Sequence, residues 1–179
     1  MTAQFATVGH SNRQVIEFLD MLRDAQVALL VDVRSFPRSR TNPGFNIESL
    51  PHDLAKVQIG YRHLPALGGR RPRQPDVDDK MNAMWRVQSF HNYADYALSD
   101  EFADGFDKLL RLGGERRVAL MCSEAVWWRC HRRIITDYLL MNGHAVDHLM
   151  SPGRTETAKI TRGAQKTADG KVVYPLPTT

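Results

Sequence analysis

Two periodicities divide this chain. Short apolar runs fall at Phe5 to Gly9, Val27 to Val33 and Val118 to Met121, each bounded by turn-forming or charged residues. Runs of this length read as strands covered on both faces. Tyr61 to Leu64 and Ala145 to Leu149 read as two more. Between them the apolar residues recur at helical spacing. Val15, Ile16, Leu19 and Leu22 predict a helix from Arg13 to Asp24, with Ser11-Asn12-Arg13-Gln14 at capping-box spacing before it. Ile47, Leu50, Leu54 and Val57 predict a second helix, tolerating Pro51 only in its first turn. An aromatic-rich helix is expected over Ser89 to Ala97. Ser99 then caps another, with Phe102, Phe106, Leu109 and Leu110 on its buried face and Gly113 near its end. A last helix runs from Cys130 to Met141 and stops at Gly143.

Strands alternating with helices over residues 1–150 predict a single α/β domain. The expected fold is a Rossmann-like three-layer sandwich around a mostly parallel sheet of about five strands. Residues 151–179 are polar with little periodicity and read as a tail or a small hairpin turned at Asp169-Gly170. No internal repeat is visible. Strands that run the same way send their following loops to one edge, where ligands of open α/β sheets collect. The segments that meet there are Gly9 to Asn12, Asp32 to Asn46, His63 to Arg73 and Cys122 to Arg132.

Those segments hold most of the reactive side chains. The stretch Cys122-Ser123-Glu124-Ala125-Val126-Trp127-Trp128-Arg129-Cys130-His131-Arg132 carries two thiols, a carboxylate, an imidazole and two indoles. After the second strand, Arg34, Arg38 and Arg40 form a cationic rim, with Phe45 placed to stack on a planar ligand or to fill the core. The loop from Pro65 to Asp79 is long, irregular and basic at Gly68 to Arg73, and reads as a substrate-side flap.

Charge supports this picture without deciding it. The net charge is only +4, but 18 of the 24 basic residues are arginine, whose planar fork suits phosphate. A GC-rich genome would raise arginine as well. Two cysteines cannot make a disulfide framework, no apolar run is long enough to span a bilayer, and Met1-Thr2-Ala3-Gln4 lacks the start of an export signal. A cytoplasmic protein with no membrane partner is expected. Neither a glycine-rich dinucleotide fingerprint nor a phosphate-binding loop motif is present, and Cys130 and His131 are consecutive, a poor zinc spacing. No cofactor or metal is expected.

Four motifs in order, Thr7-Val8-Gly9-His10-Ser11-Asn12, Val31-Asp32-Val33-Arg34 with the arginines that follow, His63-Leu64-Pro65-Ala66-Leu67-Gly68-Gly69, and Val118 to Arg133, carry a resemblance. The chain resembles the domain-of-unknown-function family numbered 488 from about Phe5 to Met150. The resemblance implies an α/β fold and supplies no reaction.

Two functions remain open beside the default of a structural interaction protein, which holds if the edge cleft is filled by the chain's own loops. One is an enzyme, hydrolase-like, acting on a phosphate-bearing nucleotide, metabolite or nucleic acid. Its catalytic candidates are Glu124, Cys122, Asp32 and His10, and its substrate-binding candidates are Arg34, Arg38, Arg40, Phe45, His63, Trp128, Arg129, His131 and Arg132. Glu124 is expected among Arg34, Arg129 and Arg132, as an acid–base group or as an ion pair. Cys122 reads as an arginine-activated nucleophile, an inert buried thiol, or a redox or metal-binding sulfur. A phosphatase-like loop is off register, because Trp128 stands where the arginine would be and Arg129 follows one residue later. The other function is a nucleic-acid or nucleotide-binding module without catalysis.

Overall fold

The computed structural model describes residues 4–177. Met1-Thr2-Ala3, where an export signal would begin, and the final two residues lie outside them. Five strands, β1 (Phe5–Gly9), β2 (Leu29–Asp32), β3 (Gly60–His63), β4 (Val118–Cys122) and β5 (Val146–Ser151), pair in parallel in the order β3-β2-β4-β1-β5. A sixth, β6 (Arg154–Thr157), adds antiparallel to β5. It is wholly exposed and polar, so nothing in the hydrophobic pattern marks it.

Helices α1 (Val15–Asp24) and α2 (Leu50–Lys56) cover one face, with Phe18, Met21, Leu22, Leu50 and Leu54 packed on Ala6, Val8, Leu30, Ala119 and Met121. Helices α3 (Gln88–Tyr96), α4 (Asp100–Glu115) and α5 (Arg132–Met141) cover the other, around Leu29, Val31, Val118, Leu120 and Val146. The result is the three-layer α/β fold. Pro51 lies in the first turn of α2, and the Ser99 hydroxyl accepts from Phe102 N at 3.2 Å, capping α4 as its sequence requires.

The capping box at Ser11 does not form. Helix α1 starts at Val15 after an uncapped Gln14, and Ser11 takes a positive φ of 46° while its N–H bonds Ser123 O at 2.9 Å. The loop's polar groups tie β1 to the β4 loop instead. Helix α4 also runs past Gly113 to Glu115.

Beyond β6 the chain crosses to the α3–α5 face. A two-stranded hairpin, β7 (Gln165–Lys166) and β8 (Val172–Val173), leads into Tyr174, which is fully buried with its hydroxyl donating to Asp137 Oδ2 at 2.7 Å.

The strand order opens the site. The chain leaves β2 for the α1/α2 face and leaves the neighbouring β4 for the opposite face, so the two loops part at the carboxyl edge. Loops that diverge from adjacent parallel strands leave a crevice between them.

Candidate functional site: a cationic cleft with a sulfur pair at its floor

A cleft of about 360 Å³ lies at that edge. Of the residues singled out in the sequence, Arg34, Arg38, Cys122, Glu124, Arg129 and His131 line it. Ser35, Phe36, Arg70, Ser89, Phe90 and Cys130 join them. Arg70 comes from the irregular flap, while Ser89 and Phe90 sit at the start of α3, in the stretch expected as an aromatic-rich helix. The basic run Gly68 to Arg73 signals Arg70, and the edge loops Asp32 to Asn46 and Cys122 to Arg132 contain Ser35, Phe36 and Cys130; Ser89 and Phe90 have no signal.

The second strand ends in a closed network. Asp32 is fully buried, and its carboxylate takes Arg34 Nε at 2.9 Å and Arg34 Nη2 at 2.7 Å. It also accepts from the Tyr61 hydroxyl at 2.5 Å. Burial and that neighbouring carboxylate push the Tyr61 phenol far up, so it stays a donor. Arg34 reaches on to Phe45 O at 2.8 Å and to His10 Nε2 at 3.3 Å. His10 Nδ1 donates to Ser11 O at 2.9 Å, leaving Nε2 as acceptor, and burial lowers its pKa and keeps it neutral. Every polar atom of Asp32 is therefore occupied, and neither Asp32 nor His10 lines the cleft.

Other expectations are corrected on similar grounds. Phe45 is fully buried, stacked on His10 at 4.6 Å and edge-on to Phe18, so its faces are closed to a ligand. His63 Nε2 donates to Arg34 O at 2.7 Å and braces the β2 end from behind. Arg40 and Trp128 are exposed but do not line the cleft. Within the flap, Arg71 is tied to Pro65 O and Gly68 O and lies over the Tyr96 ring at 3.9 Å. Arg73 pairs with Asp79 at 3.6 Å, which leaves Arg70 as the flap's free cation among the described residues.

Glu124 differs most from its expected surroundings. Among the described residues its carboxylate forms no ion pair with Arg34, Arg129 or Arg132 and stands exposed at the cleft. The backbone is what Arg132 grips: Nη1 donates to Glu124 O at 2.7 Å and Nη2 to Ala125 O at 3.2 Å. Arg132 itself is almost fully buried, so it shapes the loop and contacts no ligand in the cleft. Gly9 makes this packing possible, because a Cβ there would stand 1.8 Å from Glu124 O.

Arg132 Nη1 also lies 2.6 Å from Cys122 Sγ, whose sulfur is 2.6 Å from Cys130 Sγ. Burial, together with the adjacent Cys130 sulfur, holds the Cys122 thiol well above its ordinary value, against the pull of Arg132. Of the readings open for Cys122, this favours the buried thiol over the arginine-activated nucleophile. Burial also raises Cys130, but the Cys122 thiol, the Arg132 guanidinium and the Arg132 N–H at the start of α5 outweigh it and lower that thiol. His131 Nε2 donates to Val33 O at 2.8 Å and turns Nδ1 towards Cys130 Sγ at 3.5 Å. Its ring packs against Gly69, where a Cβ would come within 2.4 Å of Nδ1. Burial lowers its pKa, so the imidazole is neutral. Among the described residues no cluster of three His, Cys, Asp or Glu side chains is arranged to hold a metal ion.

Electrostatics decide what the cleft can take. Arg34 is neutralised by Asp32, and Arg38 pairs with Glu48. The guanidinium groups of Arg70 and Arg129 have no carboxylate or hydrogen-bond acceptor among the described residues; Arg70 lies over the exposed Phe36 ring at 5.4 Å. Two uncompensated cations face one exposed carboxylate.

Fold and site together define a three-layer α/β protein with a basic cleft at the carboxyl edge of its parallel strands. The chain belongs to the family described as Domain of unknown function DUF488, which it matches over residues 14–139. No curated protein and no solved structure matches it. Among the described residues no helix is long and apolar enough to cross a membrane.

Proposed function

We propose that the cleft binds a phosphate-bearing ligand, nucleotide or nucleic-acid-like, and that the chain acts on it as an enzyme. The observation that carries this reading is the pair of uncompensated guanidinium groups, Arg70 and Arg129, lining one cleft with the exposed Glu124 carboxylate. Guanidinium forks suit phosphate oxygens. Phe36 and Phe90 offer aromatic surface beside them for a base. Ser35, Ser89 and Ser123 add hydroxyls that can fix a ligand's orientation. Glu124, the cleft's only carboxylate among the described residues, takes the acid–base role.

Calorimetric titration with nucleoside monophosphates and with inorganic phosphate, at low and high salt, tests the binding. The combined Arg70→Ala and Arg129→Ala variant should weaken binding by about tenfold or more, and added salt should weaken the wild type. Equal binding by the variant removes the proposal. Incubating the protein with a panel of nucleotides and short oligonucleotides tests catalysis, with Glu124→Gln as the control. Binding without turnover of any of them leaves a non-catalytic nucleic-acid or nucleotide-binding module.

A further inference from the structure

The sulfur pair at the cleft floor has a chemistry of its own, independent of what the cleft binds. Cys122 ends β4 and Cys130 precedes α5, eight residues apart in sequence, yet their sulfurs are neighbours. Both are free, and both line the cleft while keeping only 3% and 5% exposure. A bulky oxidant cannot reach sulfurs so enclosed, but a molecule near the size of water can. Three features favour a thiolate at Cys130. Arg132 places a guanidinium 2.6 Å from Cys122 Sγ and its N–H 3.4 Å from Cys130 Sγ, and His131 Nδ1 lies 3.5 Å from Cys130 Sγ as a proton acceptor.

We propose that Cys122 and Cys130 are a redox-active dithiol that hydrogen peroxide converts to an intramolecular disulfide, Cys130 attacking first and Cys122 resolving. Cys130 passes its proton to His131 Nδ1 and its sulfur attacks one peroxide oxygen. The S–O bond forms, the O–O bond breaks, and the departing hydroxide takes the proton from His131 and leaves as water. The Cys122 sulfur then attacks the Cys130 sulfenic acid. An S–S bond forms, the S–O bond breaks, and the leaving hydroxide takes the Cys122 proton as a second water. Two thiols lose two electrons to one peroxide, which becomes two waters. The sulfur adjacency is what makes the second step fast, because the resolving thiol is already in place. Once the chain is unfolded in denaturant, a dithiol reductant returns both sulfurs to thiols by thiol–disulfide exchange.

The test uses the full chain, reduced and then freed of reductant. After treatment with hydrogen peroxide, free thiols are titrated under denaturing conditions and peptides are mapped by mass spectrometry. Both thiols should disappear together, with a Cys122–Cys130 crosslink within one chain, a mass lower by two hydrogens, and recovery with dithiothreitol. Persistence of both thiols, a crosslink between chains, or sulfinic acids without a crosslink overturns the proposal. Two variants check the order of events. Cys122→Ser should stop at a Cys130 sulfenic acid that dimedone traps once the oxidised chain is unfolded in denaturant, and Cys130→Ser should slow oxidation of the remaining Cys122 by about tenfold or more. Trapping at Cys122 and not at Cys130 overturns the assigned order. The wild-type mapping needs no variant, so a misfolded substitution leaves the crosslink result intact.

Discussion

Arg132 Nε donates to Thr7 Oγ1 at 3.2 Å, so the first turn of α5 is bolted to the middle of β1 through a buried pair 125 residues apart. The Thr7 hydroxyl passes the interaction on to His148 Nδ1 on β5 at 2.6 Å. The same guanidinium holds Glu124 O, Ala125 O and Cys122 Sγ. One side chain thus fixes three strands and the loop that forms the cleft wall.

Arg132→Ala should therefore be among the most destabilising single changes in the chain. It takes the donor from two loop carbonyls and the guanidinium from beside a buried thiol, and removes a large side chain that is almost fully buried, a loss of about 3–5 kcal/mol. Arg132→Lys keeps the charge without the fork and should fall in between. Urea denaturation followed by circular dichroism measures both. A midpoint unchanged in Arg132→Ala would mean that the network carries no stability.

Gly9→Ala should destabilise and also move the loop. The added methyl cannot coexist with Glu124 O, and overpacking of this kind costs about 1–3 kcal/mol. Because the clash displaces the loop bearing Glu124, ligand affinity in the cleft should fall together with the melting temperature. A normal melting temperature with normal affinity would contradict the close approach.

Acid should unfold the protein through its buried histidines. Burial, with Arg132 nearby, depresses His148 from 6.5 to about 3, and burial likewise lowers His10 and His131. The unfolded chain takes up these protons below pH 6.5 while the folded chain does not. The stability they contribute is complete above that pH and is lost as pH falls below it, a window that for His148 extends to about 3, by up to ~1.4 kcal/mol per pH unit for each histidine. His148→Gln should flatten the slope between pH 6 and 4 in a series of urea melts, whatever its effect at neutral pH. An identical slope would show that His148 is already protonated in the native state.

Tyr174 gives a measure of how firmly residues 158–174 belong to the core. Tyr174→Phe removes the hydroxyl from Asp137 and should cost about 1 kcal/mol, whereas Tyr174→Ala leaves a cavity and should cost about 3–5 kcal/mol. Chemical denaturation of the two variants gives the comparison. Near-equal small losses would mean that this segment is loosely attached.

Where a position is set by burial alone, the sequence is explicit. Val31 in β2 and Leu120 in β4 sit in apolar runs that only a two-faced sheet accommodates, and Ser99 with Asp100 and Glu101 announces the start of α4. Ser11 is the contrary case: a local capping rule loses to long-range bonds with Ser123. Asp32 and Glu124 show why the site was harder to read. Each is one carboxylate after a strand amid arginines. Which of them is consumed depends on Arg34 folding back over Asp32 and on Arg132 choosing carbonyls over a carboxylate, and neither choice leaves a periodic trace. Ser89 and Phe90 enter the cleft because α3 happens to begin there. Strand β6, with its polar Arg-Thr-Glu-Thr, has no hydrophobic pattern to announce it.

The place of β4 in the sheet has a consequence for synthesis. Both neighbours of that strand, β1 and β2, are made about a hundred residues before it. A nascent chain that has emerged only as far as α4 holds two strands with an empty slot between them, and contacts of such long sequence separation form late. The cleft's sulfurs and the wall that bears Glu124 and Arg129 arrive as one insertion, so a ribosome stalled before Val118 leaves a chain with an incomplete sheet and only one side of its cleft.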